Sequence, residues 1–241
     1  MISEESITSR VWAAIRPTLA RVYRAARRLI EQLLHPSRRR SARAQLALSS
    51  GWDGVLVLCH GNICRSPYAA AVLTQALAAR RITIPVRQGG FVGPGRRSPA
   101  TARSVARASG IDLRSHRSRL VTPADTEGEA LVIVMEIRQA RRVSQELGVP
   151  GSRIVVLGDL DPNAIDARDI RDPWRLGPEV FEEVYQRIWR CTVALAECLQ
   201  EPGAQSVPGG GASGSEGEQP RESGRSAGPG HEALHIRIVH S

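Results

Sequence analysis

The sequence has no lysine; all 33 basic residues are arginine. Alanine is abundant beside them, which reads as a GC-rich coding sequence rather than a physical requirement. Aromatic residues make up only 4% of the chain, too few for the aromatic stripe on which RNA-binding sheets stack bases. Zinc-ligand spacings and basic-zipper heptads are lacking as well. Four cysteines in 241 residues, without a signal-type apolar core and small-residue cleavage site, do not form an extracellular disulfide framework. A reducing, cytoplasmic setting is expected. Polar or charged residues interrupt every apolar run well before the roughly twenty residues that a spanning helix needs, so no membrane span is expected.

Charge is present but sits at one end. Of the net +9, the first fifty residues supply +7, as ten arginines stand against Glu4, Glu5 and Glu31. Basicity confined to one end is not the footprint of a nucleic-acid reader, and no nucleic-acid partner is expected. Over residues 10–34, Trp12, Ile15, Leu19, Tyr23, Ala26, Ile30 and Leu33 recur three or four apart, with Arg16, Arg21, Arg24, Arg27 and Arg28 among them. This spacing predicts an amphipathic helix, bent at Pro17 and ending near Pro36. Arg38, Arg39, Arg40 and Arg43 would follow as a flexible basic linker. The helix suits a membrane surface or a partner protein, or else packs on the domain with its arginines in water.

The chain divides into residues 1–51 (basic helix and linker), 52–200 (a folded domain) and 201–241 (a Gly/Ser/Pro-rich tail expected to be disordered). A weak alternating pattern at residues 234–239 could form a strand. Within the domain, apolar runs of strand length at residues 55–58, 82–86, 131–135 and 154–157 alternate with helical patterns. These helices would run from Ser66-Pro67 to about Arg80, from Ser98-Pro99 to Gly110, and over residues 137–147 and 178–199. Pro85 marks the second strand as an edge. Strands alternating with helices predict an α/β fold, a single domain with a four-stranded parallel sheet flanked by helices.

Between the first strand and the first domain helix lies Cys59-His60-Gly61-Asn62-Ile63-Cys64-Arg65-Ser66-Pro67. A cysteine ending a parallel strand, followed by a tight loop into a helix N-terminus, faces backbone N–H groups and the positive end of the helix dipole. Such a place favours a thiolate and cradles a tetrahedral dianion. Arg65 can fold back and grip two phosphate oxygens with its planar fork, and Gly61 gives the loop room to turn. A cysteine at a strand end is, taken alone, more often a small core residue than a nucleophile.

The whole string resembles the signature of the low-molecular-weight protein tyrosine phosphatases: a cysteine, five residues, an arginine and then Ser-Pro, with Gly-Asn inside the loop. The resemblance extends over residues 54–199, through His116-Arg117-Ser118-Arg119, Leu157-Gly158 with Asp161-Pro162, and Asp172-Pro173-Trp174. It implies that Cys59 attacks phosphorus to form a phosphocysteine, that Arg65 holds the phosphate, and that Asp172 is the acid and then the base. It also implies that His60, Gly61, Asn62, Ile63, Cys64 and Ser66 complete the phosphate loop. Ser66 would assist the thiolate, His116 would support the loop with Asn62, and Trp174 would line the entrance for a phenyl ring. Cys64 would shield Cys59 through a reversible disulfide. Of two Asp-Pro pairs, Asp172 has the aromatic neighbour and precedes the last helix, whereas Asp161 suits a turn. No metal or other cofactor is implied, and the expected partner is a phosphotyrosine protein. Bacterial relatives often act opposite the tyrosine kinases of capsule and exopolysaccharide synthesis.

Two positions depart from the family pattern: Gln88-Gly89-Gly90 stands where Ser-Ala-Gly is usual, and Ala70 replaces a glutamate. Both question the loop's support rather than the reaction. Two other readings compete. One is an arsenate reductase on the same fold, for which Cys191 and Cys198 would have to relay a disulfide. The other is a docking module with a vestigial site, against which the intact Cys59, Arg65 and Asp172 argue.

Overall fold

The computed structural model describes residues 4–48 and 51–200, with side chains from residue 16 onward. The expected disordered tail, the weak strand near its end and the side chain of Trp12 therefore lie outside the described residues.

Four short strands, β1 (Gly54–Cys59), β2 (Val86–Gly90), β3 (Ala130–Val134) and β4 (Ile154–Val156), form one parallel sheet in the order β2-β1-β3-β4. This is the expected four-stranded α/β sheet. Every residue of β1 and β3 is buried, as central strands covered on both faces require. From β1 the chain passes to β2 on one side, then crosses to β3 on the other. The carboxyl ends of β1 and β3 therefore flank the switch point at which open α/β sheets bind their ligands.

Helices α2 (Arg65–Ala79), α3 (Ala100–Ala108) and α5 (Pro178–Gln200) share the larger core, while α4 (Ile137–Leu147) covers the other face of the sheet. Tyr68 of α2 stacks on Tyr185 of α5, with ring centroids 3.9 Å apart.

Three local expectations are corrected. The N-terminal helix α1 (Glu4–Leu48) runs through both Pro17 and Pro36 instead of ending near the second. A proline removes one helical donor, but tertiary contacts on both sides of Pro36 outweigh that loss. His35, Ala42 and Leu46 are buried, His35 Nε2 donates to the Asp161 carbonyl at 2.9 Å, and Gln45 Nε2 bonds the Ser152 carbonyl at 2.9 Å. The expected flexible linker of Arg38, Arg39, Arg40 and Arg43 is thus helical, with Arg38 paired to Glu31 at 2.5 Å.

The second strand begins at Val86 rather than Ile82. Pro85 has no N–H and gives the ladder only its carbonyl, 2.8 Å from Val55 N, while Ile82 closes the end of α2 through its N–H to Leu77 O. β2 lies at the sheet edge, as Pro85 suggested. Finally, α2 starts at Arg65, and Ser66 does not cap it; its hydroxyl is committed elsewhere. No helix among the described residues is long and apolar enough to cross a membrane.

Asp161 is a buried hub rather than a plain turn residue. Its carboxylate accepts from Arg187 Nε at 3.0 Å and from Arg190 Nε at 2.7 Å. Burial works against its charge, but the bonds from Arg190, Asn163 N and Arg187 outweigh this and hold the carboxyl below the usual range. A depressed native pKa stabilises the fold above the unfolded value of about 4 and is lost as pH falls through the native one. Asp161→Asn should therefore cost about 3 kcal/mol near neutrality, read from urea midpoints, and the penalty should shrink in acid. An equal penalty at both pH values would contradict this account.

Candidate active site

The loop His60–Cys64 joins the carboxyl end of β1 to the N-terminus of α2, and its shape is held from behind. Asn62 adopts a left-handed backbone conformation, φ 48°, which asparagine tolerates better than most residues. Its side chain is fully used: Nδ2 donates to Ser66 Oγ at 2.9 Å and to Gln88 Oε1 at 3.1 Å, and Oδ1 accepts from Arg119 N at 3.0 Å. His116 Nε2 lies 2.6 Å from the Asn62 carbonyl. A carbonyl only accepts, so Nε2 carries the proton and Nδ1 is left to accept from Gln88 Nε2 at 3.4 Å. Burial lowers the His116 pKa against the opposing Asn62 bond, consistent with a neutral ring. Gln88, the departure from the family's serine, thus touches both Asn62 and His116.

Glycine is needed here for close approach. A Cβ at Gly90 would lie 2.7 Å from Asn62 N, and one at Gly61 would lie 2.8 Å from Arg96 Nη2. Gly61 therefore makes room for Arg96, which donates to the carbonyls of Gly61 at 3.0 Å and Val92 at 2.9 Å, while Asn62 makes the left-handed turn. From α5, Tyr185 Oη donates to the Cys64 carbonyl at 3.1 Å.

Cys59 Sγ lies 3.1 Å from Ser66 Oγ at the base of a cavity of about 200 Å³. The cavity is also lined by His60, Gly61, Ile63, Cys64 and Arg65 of the loop and helix start, with Val92, Arg96, Asp172 and Trp174 around the mouth. Arg65 is buried, yet its charge is matched. Nη1 donates to Glu136 Oε1 at 2.5 Å and to the Ile170 carbonyl at 2.9 Å, and Nη2 lies 2.7 Å from Asp172 Oδ2. Its Nε is buried with no hydrogen-bond partner. Nε and Nη2 form one edge of the guanidinium, so the edge not fixed by Glu136 offers two donors: one idle, the other on a partly exposed carboxylate.

The structure thus brings Cys59, Arg65 and Asp172 to one cavity, sets Asn62, Ser66 and His116 behind the loop, and puts Trp174 on its wall. Glu136, Gln88, Arg96 and Tyr185 were missed as site residues by the sequence reading. Glu136 follows β3 at the switch point, and only the strand order could have signalled it.

Burial pushes the Cys64 thiol up to about 12, with Cys59 and Asp172 adding to the rise, so Cys64, the last residue of the loop, is a neutral thiol. Cys191 and Cys198 are buried on α5, and burial raises Cys191 strongly. A rigid buried helix is a poor place for disulfide relay, and the arsenate-reductase reading gains nothing from them. A larger groove of about 410 Å³, lined by residues such as Ser37, Gln45 and Arg141, contains no cysteine.

Residues 54–205 match the sequence model of the low molecular weight phosphotyrosine protein phosphatase family. The chain is 29% identical over 148 residues to the low molecular weight protein-tyrosine-phosphatase Etp of Escherichia coli strain K12, covering 61% of this chain and 95% of that protein. Vibrio vulnificus Wzb, solved in complex with benzylphosphonate, superposes with a TM-score of 0.54 at 28% identity, over 61% of this chain and 99% of that one. The YwlE arginine phosphatase of Geobacillus stearothermophilus does so with a TM-score of 0.53 at 26% identity, over 61% and 92%. With the family match spanning more than half its length, the chain belongs to the low molecular weight protein tyrosine phosphatases and is a phosphoric monoester hydrolase of that kind.

Proposed function

We propose that this enzyme hydrolyses phosphotyrosine in proteins through a phosphocysteine on Cys59. The observation that carries the reading is the guanidinium of Arg65. Glu136 and the Ile170 carbonyl fix one nitrogen, leaving the Nε–Nη2 edge for an oxyanion beside the Cys59 sulfur. Phosphate oxygens would bond Nε and displace Asp172 from Nη2, with the loop N–H groups and the α2 N-terminus sharing the charge. The Asp172 carboxyl, freed at the mouth, can then face the leaving oxygen.

Asp172 takes up a proton from solvent as phosphate replaces it on Arg65; the Cys59 sulfur then forms an S–P bond as the aryl O–P bond breaks, and Asp172 gives that proton to the departing aryl oxygen. Water then attacks phosphorus, Asp172 takes a proton from it, the S–P bond breaks, and Ser66 Oγ donates to the departing thiolate. Trp174, Ile63 and Val92 give the cavity apolar walls suited to a flat ring. The benzylphosphonate held by Vibrio Wzb supports an aryl-sized group at such a site.

A reducing, cytoplasmic setting goes with this chemistry, and none of the four cysteines is in a disulfide. We also assign its substrates to tyrosine-phosphorylated proteins of polysaccharide synthesis. Deleting the gene should raise phosphotyrosine on a kinase of that system, and unchanged levels would remove the assignment.

Wild type should turn over a phosphotyrosine peptide and an aryl phosphate, and leave a phosphoserine peptide, too short to cross the apolar walls, largely intact. Asp172→Asn should slow the phosphotyrosine peptide by about 10²–10⁴-fold and an activated nitrophenyl ester far less, because a good leaving group needs no proton. Equal slowing of both would deny Asp172 the acid's role. Preference for phosphoarginine over phosphotyrosine would shift the substrate from a phosphate ester to an N–P phosphoramidate.

A further inference from the structure

The stretch of α1 from residue 16 to residue 34 presents an apolar face that the folded domain leaves uncovered. Leu19, Val22, Tyr23, Leu29, Ile30 and Leu33 are each more than half exposed, from 53% at Leu19 to 70% at Leu33. At the helical repeat they fall within an arc of about 120°. Arg16, Arg21, Arg24, Arg27 and Arg28 occupy the rest of the circumference. Contacts with the domain are made from this arginine side: Arg28 pairs with Asp166 at 2.6 Å, and His35, two turns on along the same face, reaches Asp161. The apolar arc therefore points away from the domain. Glu31 is the sole acid between residues 16 and 34, and it is bonded to Arg38.

We propose that this stretch of α1 is an interfacial anchor that lays its Leu19–Leu33 face on an anionic membrane surface. A helix that is too polar to span, apolar on one arc and arginine-rich on the other, lies in the plane of the headgroups. Its arginine stems extend along apolar surface while the guanidinium groups stay with lipid phosphates. A second copy of the chain fits less well. A two-stranded seam uses a narrow stripe, whereas here Tyr23 and Ile30 widen it. Pro17 interrupts the backbone donors, and pairing would set the flanking Arg16 and Arg27 of two copies together without acids to match them.

Co-sedimentation of the full chain with phosphatidylcholine vesicles, with and without one-third phosphatidylglycerol, tests this. Binding to the anionic vesicles should be at least about tenfold tighter than to the neutral ones and should weaken with salt. Each arginine near a charged surface is worth about fivefold in partition, so the triple change R21Q/R24Q/R27Q should lower binding by about a hundredfold. L29S/L33S should lower it more than about tenfold. Every variant should hydrolyse a small aryl phosphate as wild type does, which shows an intact fold and separates this result from that of the phosphatase assignment. Absence of binding at low salt, or unchanged binding by L29S/L33S, would overturn the proposal. So would a lipid-free dimer in ultracentrifugation that L29S/L33S dissolves, since it would assign the face to a second copy.

Discussion

Cys59→Ser should lower turnover of a phosphotyrosine peptide by at least about 10⁴-fold while leaving the peptide bound. Oxygen in place of sulfur keeps the shape of the loop and the donors around the phosphate. What changes is the nucleophile. Sulfur is intrinsically the stronger nucleophile, whereas a hydroxyl needs a general base, and the side-chain contact at this atom is another hydroxyl. Single-turnover rates and peptide dissociation constants, measured together, separate the two effects. Activity within tenfold of wild type would mean that Cys59 is not the nucleophile. Cys64 does not take over, because burial, the largest influence on it, raises its thiol and keeps it neutral.

The parts of this molecule that were legible in sequence are those set by local rules. Strand-length apolar runs alternating with helical patterns gave the parallel sheet, and α4 lies over residues 137–147 as its periodicity indicated. The placing of the Cys59–Arg65 string between β1 and α2 followed from the same pattern. Illegible features depend on partners distant in the chain. Helix α1 passes Pro36 because His35 and Gln45 find hydrogen-bond partners more than a hundred positions away, which no local breaker signal reports. Asp161 looked like a turn residue because Arg187 and Arg190, which hold it, belong to the next helix. At the site, Gln88 was visible only as a missing serine. Its longer side chain spans the distance to Asn62 and His116 from the edge strand, which depends on the register of β2 against β1.

Glu136 was the least legible of all, and it motivates the second large effect. Arg65→Lys should lower kcat/KM by about 10³-fold or more and destabilise the fold by about 3 kcal/mol. Arg65 serves two sets of partners at once. One nitrogen is held by Glu136 and the Ile170 carbonyl, and the opposite edge faces the cavity. An ammonium is a single point of charge and cannot do both. If it stays with Glu136, the phosphate loses its fork; if it turns to the phosphate, a buried carboxylate loses its main partner. Burial opposes the Glu136 charge, and the bonds from Arg65 and Arg138 outweigh it and hold that carboxyl below its usual range. The stabilisation is therefore present above about pH 4.3, the unfolded glutamate value, and lost as pH falls through the lower native one. Glu136→Gln separates the two duties, since an amide oxygen can still accept from Nη1 and orient the fork. It should retain most phosphate affinity and cost less activity than Arg65→Lys, with its stability deficit narrowing in acid. Steady-state kinetics, phosphate inhibition constants and urea midpoints on both variants would check this. If Glu136→Gln proved as inactive as Arg65→Lys, Glu136 would be needed for its charge on the guanidinium, beyond any role in orienting it.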